Sequence, residues 1–233
     1  MDAAGHPPET STIEPGSAPL IGAALGLGLL AAAIALALFI WLGYQIRFGE
    51  PTGFDLTGRN WLRSMESARL TGLMWGASVY AAPSRLIPLG LAAAAVFLVR
   101  GWRRGALLVL VTLAGGGVLD LGLKVLFARA RPETFFDYYP APTSFSFPSG
   151  HALTATCFFG GIAVLVSHRM ESRMGQILVW LVAIALILLV GISRIYLGVH
   201  YPTDVIGGFA VGIIWVTAVA FGDRLAEHRR LRV

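Results

Sequence analysis

Leu20 to Ile46 carries no Asp, Glu, Lys or Arg, and neither do Met174 to Ser193 or Val205 to Gly222. A helix of about 20 apolar residues crosses the hydrocarbon core of a bilayer. Runs of that length commit a chain to a membrane, where a spanning segment must satisfy its own N–H and C=O groups and so becomes a helix. Composition agrees. The chain is 56% hydrophobic and 13% charged, against roughly 25% charged in ordinary soluble domains.

Three more runs are shorter or interrupted. Leu86 to Val99 lies between Arg85 and Arg100, Gly105 to Leu119 runs on into Asp120 and Lys124, and Ala152 to Ser167 begins just after His151. Each reaches spanning length if its polar flanks sit at an interface, where Arg and Lys extend along apolar surface to water. The expected fold is all-α, a polytopic membrane protein with six transmembrane helices over residues 19–222. The first run does not resemble a secretory signal, which has a basic start and an apolar core of about 7–15 residues. Residues 1–19 contain no Lys or Arg, and the run is longer. It is read as a retained helix behind a disordered, Pro/Ser/Thr-rich tail at residues 1–18.

An even number of spans puts both termini on one side, expected to be the cytoplasm. The loops RGWRRG and SHRMESRMGQ and the tail at residues 223–233 share nine Arg, in short segments of the kind the positive-inside rule describes. The other side carries as many basic residues, but they lie in a long segment or in the polar constellation described below. The expected location is a bacterial inner membrane, with the polar groups on the periplasmic or extracellular face. Between the first two spans, residues 47–83 place Phe54, Trp61, Met65 and Leu73 among Arg and Ser at roughly helical spacing. This predicts one or two amphipathic helices, lying on the membrane or packed as a periplasmic cap.

Cys157 is the only cysteine, which excludes an intrachain disulfide and a cysteine-based metal site. The net charge of +5 comes from scattered Arg residues. It points to anionic lipid headgroups as partners rather than nucleic acid. The chain has 17 Arg and one Lys, Lys124; a lone Lys at a helix end hints that a compact ammonium is needed there.

Following the six spans, the conspicuous polar groups all reach one membrane face. KVLFARARP puts Lys124 and Arg131 seven residues apart, either as interface anchors or as paired cations. FPSGH places Ser149, with the chemistry of an N-cap, before a helix whose first N–H groups have no internal partner. Gly150 lets an anion approach that backbone, and a helix N-terminus suits phosphate. His151 adds an imidazole, unless it is incidental to an ordinary helix start. SRIYLGVHYPTD supplies Arg194, whose planar fork suits two phosphate oxygens, and His200 four residues before Asp204. That carboxylate could hold one ring nitrogen and leave the other as a nucleophile, or the pair could be a plain loop hydrogen bond. Together, two His, one Asp, three cations, a Ser and a helix mouth match phosphoryl transfer: cations for the equatorial oxygens, a nucleophile, and an acid for the leaving group. Asp120, Glu133, Asp137 and Asp204 are too scattered to suggest a two-metal centre.

These residues resemble the three-part signature of the type 2 phosphatidic acid phosphatase superfamily, integral-membrane branch. Lys124 with Arg131-Pro132, then Pro148-Ser149-Gly150-His151, then Ser193-Arg194 with His200 and Asp204 fit K-x6-RP, PSGH and SR-x5-H-x3-D at every position. The resemblance implies a lipid phosphatase that uses no metal or other cofactor and forms a phosphohistidine. His200 would be the nucleophile, Asp204 its orienter, and His151 the acid for the leaving group. Lys124, Arg131, Ser149, the Gly150 amide and Arg194 would bind the phosphoryl group. Arg129 resembles an additional basic residue of such segments, and Asp120 would pair with Lys124. Undecaprenyl diphosphate, phosphatidylglycerophosphate, phosphatidic acid or a lipid A phosphate would be the substrate. Transfer to an acceptor alcohol, a soluble vanadate-type haloperoxidase and a non-catalytic lipid transporter are the rival readings. Phe135, Phe136, Tyr138, Tyr139, Phe145 and Phe147 would form a lid for the lipid tail or an interfacial belt.

Overall fold

The computed structural model describes residues 18–136 and 142–230. Residues 1–17 of the expected tail, Asp137, Tyr138 and Tyr139, and residues 231–233 lie outside that description. Among the described residues there are helices and no strand. The first helix, α1 (Ala18–Phe48), is followed by α2 (Gly53–Ser64), α3 (Ala68–Tyr80), α4 (Pro83–Val99) and α5 (Arg103–Phe127). Then come α6 (Gly150–Ala155), a π-helical turn over Thr156–Gly160, α7 (Gly161–Ser167), α8 (Arg173–Tyr196) and α9 (Pro202–Arg230).

Among the described residues, five stretches are long and apolar enough to cross a membrane, with Gly150–Ser167 counted as one. A sixth appears if α3 and α4 form a single span, bent by 52°. Pro83 explains the bend. It is the first residue of α4, and Ala82 before it is extended (φ −61°, ψ 145°), because the proline ring disfavours the helical region for its predecessor. The outward faces are apolar throughout, with Leu30, Ile34, Val118, Val125, Leu178 and Leu181 all exposed. A large continuous apolar exterior is what lipid contact requires.

Between helices in a membrane there is little hydrophobic gain, so close packing of small residues dominates. Gly208 and Gly212 of α9 provide it. A Cβ on Gly208 would lie 2.6 Å from the Ser149 carbonyl oxygen, and one on Gly212 would lie 2.5 Å from Thr156 Cβ. Backbone therefore meets backbone where α9 crosses α6, and this fixes the mouth of α6 against the start of α9. At the far end of the bundle, Arg104 at the start of α5 pairs with Asp223 at 2.6 Å and Glu227 at 2.8 Å on α9.

The segment between α1 and α4 contains two helices of different character. On α2, Phe54, Trp61 and Met65 are exposed and share one helical face. Asp55 is buried and Arg59 reaches inward, which makes α2 the amphipathic helix foreseen there. In contrast, α3 buries Met74 and Ser78 and packs on α8, where Thr71 and Tyr196 hydroxyls meet at 2.7 Å. A second core of Met74, Phe136, Tyr196, Leu197 and Val199 sits under these two helices. It binds them to the loop that carries His200.

Candidate active site

The loop between α8 and α9 presents His200 through one conformational requirement. Gly198 has φ +76°, and a Cβ there would also lie 2.6 Å from the Phe135 amide nitrogen; both conditions favour glycine. Pro202 then opens α9 with a ring that suits a first helical turn. Asp204 is the third helical residue, and its Oδ2 accepts the Tyr201 N–H at 2.9 Å. That is the return half of a capping box.

The same carboxylate holds the His200 imidazole. Asp204 Oδ2 accepts from Ser146 Oγ at 2.5 Å and faces His200 Nδ1 at 3.3 Å. On the other side of the ring, Arg131 Nη1 lies 2.9 Å from His200 Nε2. Guanidinium has no acceptor, so Nε2 must accept and the proton must be on Nδ1, facing Asp204. Nε2 is thus the unprotonated ring nitrogen. His200 is 1% exposed. Burial pushes its pKa down to about 3, with Asp204 working against that shift and Arg131 and Arg194 adding to it. The ring therefore stays neutral through the physiological range.

The phosphate-binding candidates gather around the same ring. Lys124, 8% exposed, donates to both Asp120 oxygens at 2.6 Å. This pair lies on the Gly150 backbone: a Cβ on Gly150 would be 2.8 Å from Lys124 Nζ and 2.9 Å from Asp120 Oδ1. Arg194 is 2% exposed and donates to Ser78 Oγ of α3. Half-buried His151 lies within electrostatic reach of Arg194, His200, Lys124 and Arg131. Two backbone bonds lock the three segments together, Ser146 N–H to Arg129 O at 2.9 Å and Ser149 N–H to Asp204 O at 2.9 Å. Lys124, Arg131, Ser149, Gly150, His151, Arg194, His200 and Asp204 therefore lie at one end of the bundle.

Ser149 departs from expectation. It occupies the N-cap position of α6 with an extended backbone, but its side chain makes no capping bond. Its Oγ is instead buried with no hydrogen-bond partner. Buried hydroxyls are normally satisfied, so this donor is conspicuous at the mouth of α6. Among the described residues, no group of three or more His, Cys, Asp or Glu is placed to hold a metal.

Four participants escaped the sequence reading: Asp55, Ser78, Ser146 and Thr203. Ser146 and Thr203 adjoin the motifs and were within reach. Asp55 and Ser78 come from the segment before α4 and carry no local signal. Arg129 proves central. Its Nη1 bonds Asp204 at 2.5 Å and Thr203 at 2.8 Å, and its Nη2 bonds Asp55 at 2.7 Å. Burial works against its charge, but Asp204 and Asp55 outweigh that, leaving its pKa above the ordinary value. Among the described residues, the aromatic side chains of this stretch serve mostly as packing. Phe147 is fully buried, stacked on Phe39 with centroids 5.6 Å apart. Phe136 packs in the second core, and Phe135 lies under Arg59 and Arg63. Only Phe145, among those described, is exposed.

Fold and cluster together describe a helical membrane protein with cations and two imidazoles gathered at one end, and comparison with known proteins places the chain. Residues 105–222 match the model of the PAP2 superfamily, and the chain belongs to that superfamily. It is 37% identical to phosphatidylglycerophosphatase B of Bacillus subtilis over 164 residues, 69% of this chain and 79% of that one. It is 30% identical to an undecaprenyl-diphosphatase of Sulfolobus acidocaldarius over 191 residues, 79% of this chain and 86% of that one. In structure it is similar to the transmembrane PAP2-type phosphatidylglycerolphosphate phosphatase of Bacillus subtilis. The TM-score is 0.73 at 31% identity, covering 83% of this chain and 96% of the other.

Proposed function

We propose that this chain hydrolyses a membrane lipid phosphate or diphosphate through a phosphohistidine on His200. The observation that carries this reading is the state of His200: Nε2 faces Arg131 at 2.9 Å while Nδ1 faces Asp204 at 3.3 Å. Nε2 attacks phosphorus, the N–P bond forms, and the bond from phosphorus to the lipid oxygen breaks. His151 delivers a proton to that leaving oxygen. Water then gives a proton back to His151 and attacks phosphorus, so that phosphate leaves and neutral His200 returns. Lys124, Arg131, Arg194, Ser149 Oγ and the Gly150 amide hold the phosphoryl oxygens, which carry the charge of the transition state. Those cations do the neutralising that a metal ion would otherwise do, so no cofactor is required.

The names of the relatives support a lipid headgroup phosphate as substrate. The arginine-bearing loops at the far end of the bundle support cytoplasmic termini and a site facing outward across a bacterial inner membrane. In this arrangement residues 19–222 form the catalytic membrane domain, flanked by two cytoplasmic tails.

The test is phosphate release by purified protein in detergent with EDTA. The substrates are phosphatidylglycerophosphate, undecaprenyl diphosphate, phosphatidic acid and lipid A phosphate, each with and without acceptor alcohols. Release from at least one substrate, lost in His200→Ala, is expected. A labelled phosphate that passes to an acceptor rather than to water would redefine the chain as a phosphotransferase. Silence on all four, loss of activity in EDTA, or full activity of His200→Ala would overturn the proposal.

A further inference from the structure

One buried carboxylate has no part in the reaction as written. Asp55 lies on α2, a helix whose opposite face is exposed, yet it is 0% exposed. A buried charge is tolerated only where its partners outweigh the cost of desolvation, and the partners of Asp55 all lead to the catalytic pair. Asp55 Oδ1 accepts the Thr203 N–H at 3.0 Å, satisfying a first-turn amide of α9 that the helix itself cannot. Asp55 Oδ1 and Oδ2 lie 2.8 and 2.9 Å from Thr203 Oγ1. Oδ2 also takes one arm of Arg129 at 2.7 Å, and the other arm of the same guanidinium reaches Asp204 Oδ1 at 2.5 Å. Asp204 Oδ2 is the oxygen that meets His200 and Ser146. An unbroken line therefore runs Asp55, Arg129, Asp204, His200.

We infer that Asp55 is a positioning residue for the His200 reaction, acting through Arg129 and Thr203 to fix the Asp204 carboxylate and to balance the Arg129 charge beside it. The inference rests on His200 as nucleophile. With Asp55 neutral, Arg129 would direct its whole charge at Asp204 and draw that carboxylate from His200 Nδ1. The imidazole would then be held less firmly, and the positive charge it gains when Nε2 bonds phosphorus would be less well stabilised. The first turn of α9 would also lose an anchor. The charged or titratable groups facing the His200–Asp204 pair are Asp55 and Arg59 from α2, Arg129 and Arg131 from the loop after α5, His151 from α6, Arg194 from α8 and Tyr201 beside α9. Removing one negative charge from this set disfavours protonated His200.

The test compares wild type, Asp55→Asn, Arg129→Gln and the double variant on whichever lipid phosphate the wild type hydrolyses. Asparagine keeps the size and an acceptor for Thr203, so a purely structural staple would alter the melting temperature and little else. The expected result is a kcat lower by 10- to 100-fold with KM within about 2-fold. The acid limb of kcat/KM should move to lower pH, and the double variant should be no slower than Arg129→Gln alone. Wild-type kcat and pH profile in Asp55→Asn, or additive losses in the double variant, would overturn the inference. If Asp55→Asn yields no folded protein, Arg129→Lys serves instead, because an ammonium cannot fork between two carboxylates; wild-type kcat there overturns the link equally. A wild type inactive on every lipid phosphate is a different failure, that of the hydrolase reading itself.

Discussion

In the proposed mechanism His200 concentrates the chemistry in one ring, and its surroundings set what a change there should do. Replacing it with Gln should lower kcat by roughly 10⁴-fold or more, since the intermediate cannot form; a single-turnover assay with labelled substrate would also find no acid-labile phosphoenzyme. Its burial has a pH consequence. The folded ring resists protonation down to about 3, whereas the unfolded ring takes a proton near 6.5. Between those values the unfolded chain binds more protons, so stability present above pH 6.5 is lost as pH falls towards 3. The acid-induced drop in melting temperature should be smaller in His200→Gln than in wild type. Lys124→Met should cost roughly 10²–10³-fold in kcat by removing a charge proposed to meet the phosphoryl oxygens; an unchanged kcat would remove Lys124 from that role. These residues could be found in the sequence because a lone Lys, a His before a Pro and a Ser-Gly-His at a helix mouth all stand out in an apolar chain. Asp55 could not. It lies among Arg and Ser in a mixed helix, and its partners are 74 and 148 residues away.

The helices divide in the same way. The long uncharged runs predicted α1, α8 and α9 because lipid imposes hydrophobicity on every face, a signal that needs no knowledge of neighbours. The elbow between α3 and α4 was harder to see. Its cause, Pro83, is local, but whether α3 lies on the membrane or enters the bundle depends on α8, which buries Met74 and Ser78. The aromatic stretch after Pro132 is ambiguous for a related reason: composition cannot separate a gate from a packed core, and of its described members Phe147 is fully buried against Phe39 and Phe127 while Phe145 is exposed. The α6–α9 crossing offers a direct check. Gly208→Ala would push a methyl group into the Ser149 carbonyl, 2.6 Å away, with overpacking worth about 1–3 kcal/mol. Because Ser149 leads the turn proposed to bind phosphate, the variant should lose both melting temperature and kcat. A variant that lost neither would mean the helices part easily there.

The assembled bundle has one chemically equipped end and one plain end, tied by Arg104 to Asp223 and Glu227. If the equipped end faces outward, a cysteine at Thr143 should react with an impermeant maleimide on intact cells, and one at Glu171 only after lysis, both in a Cys157→Ala background. Both positions are exposed, so the reverse pattern would invert the topology. At the equipped end, Asp204 serves two masters: it caps α9 through the Tyr201 amide and it steadies His200. Disabling the protein at residue 204 would therefore blur two questions, whether it can react and whether it is still properly built. A mute yet sound version for substrate-trapping should be made at the imidazole, leaving the carboxylate to keep the helix in order.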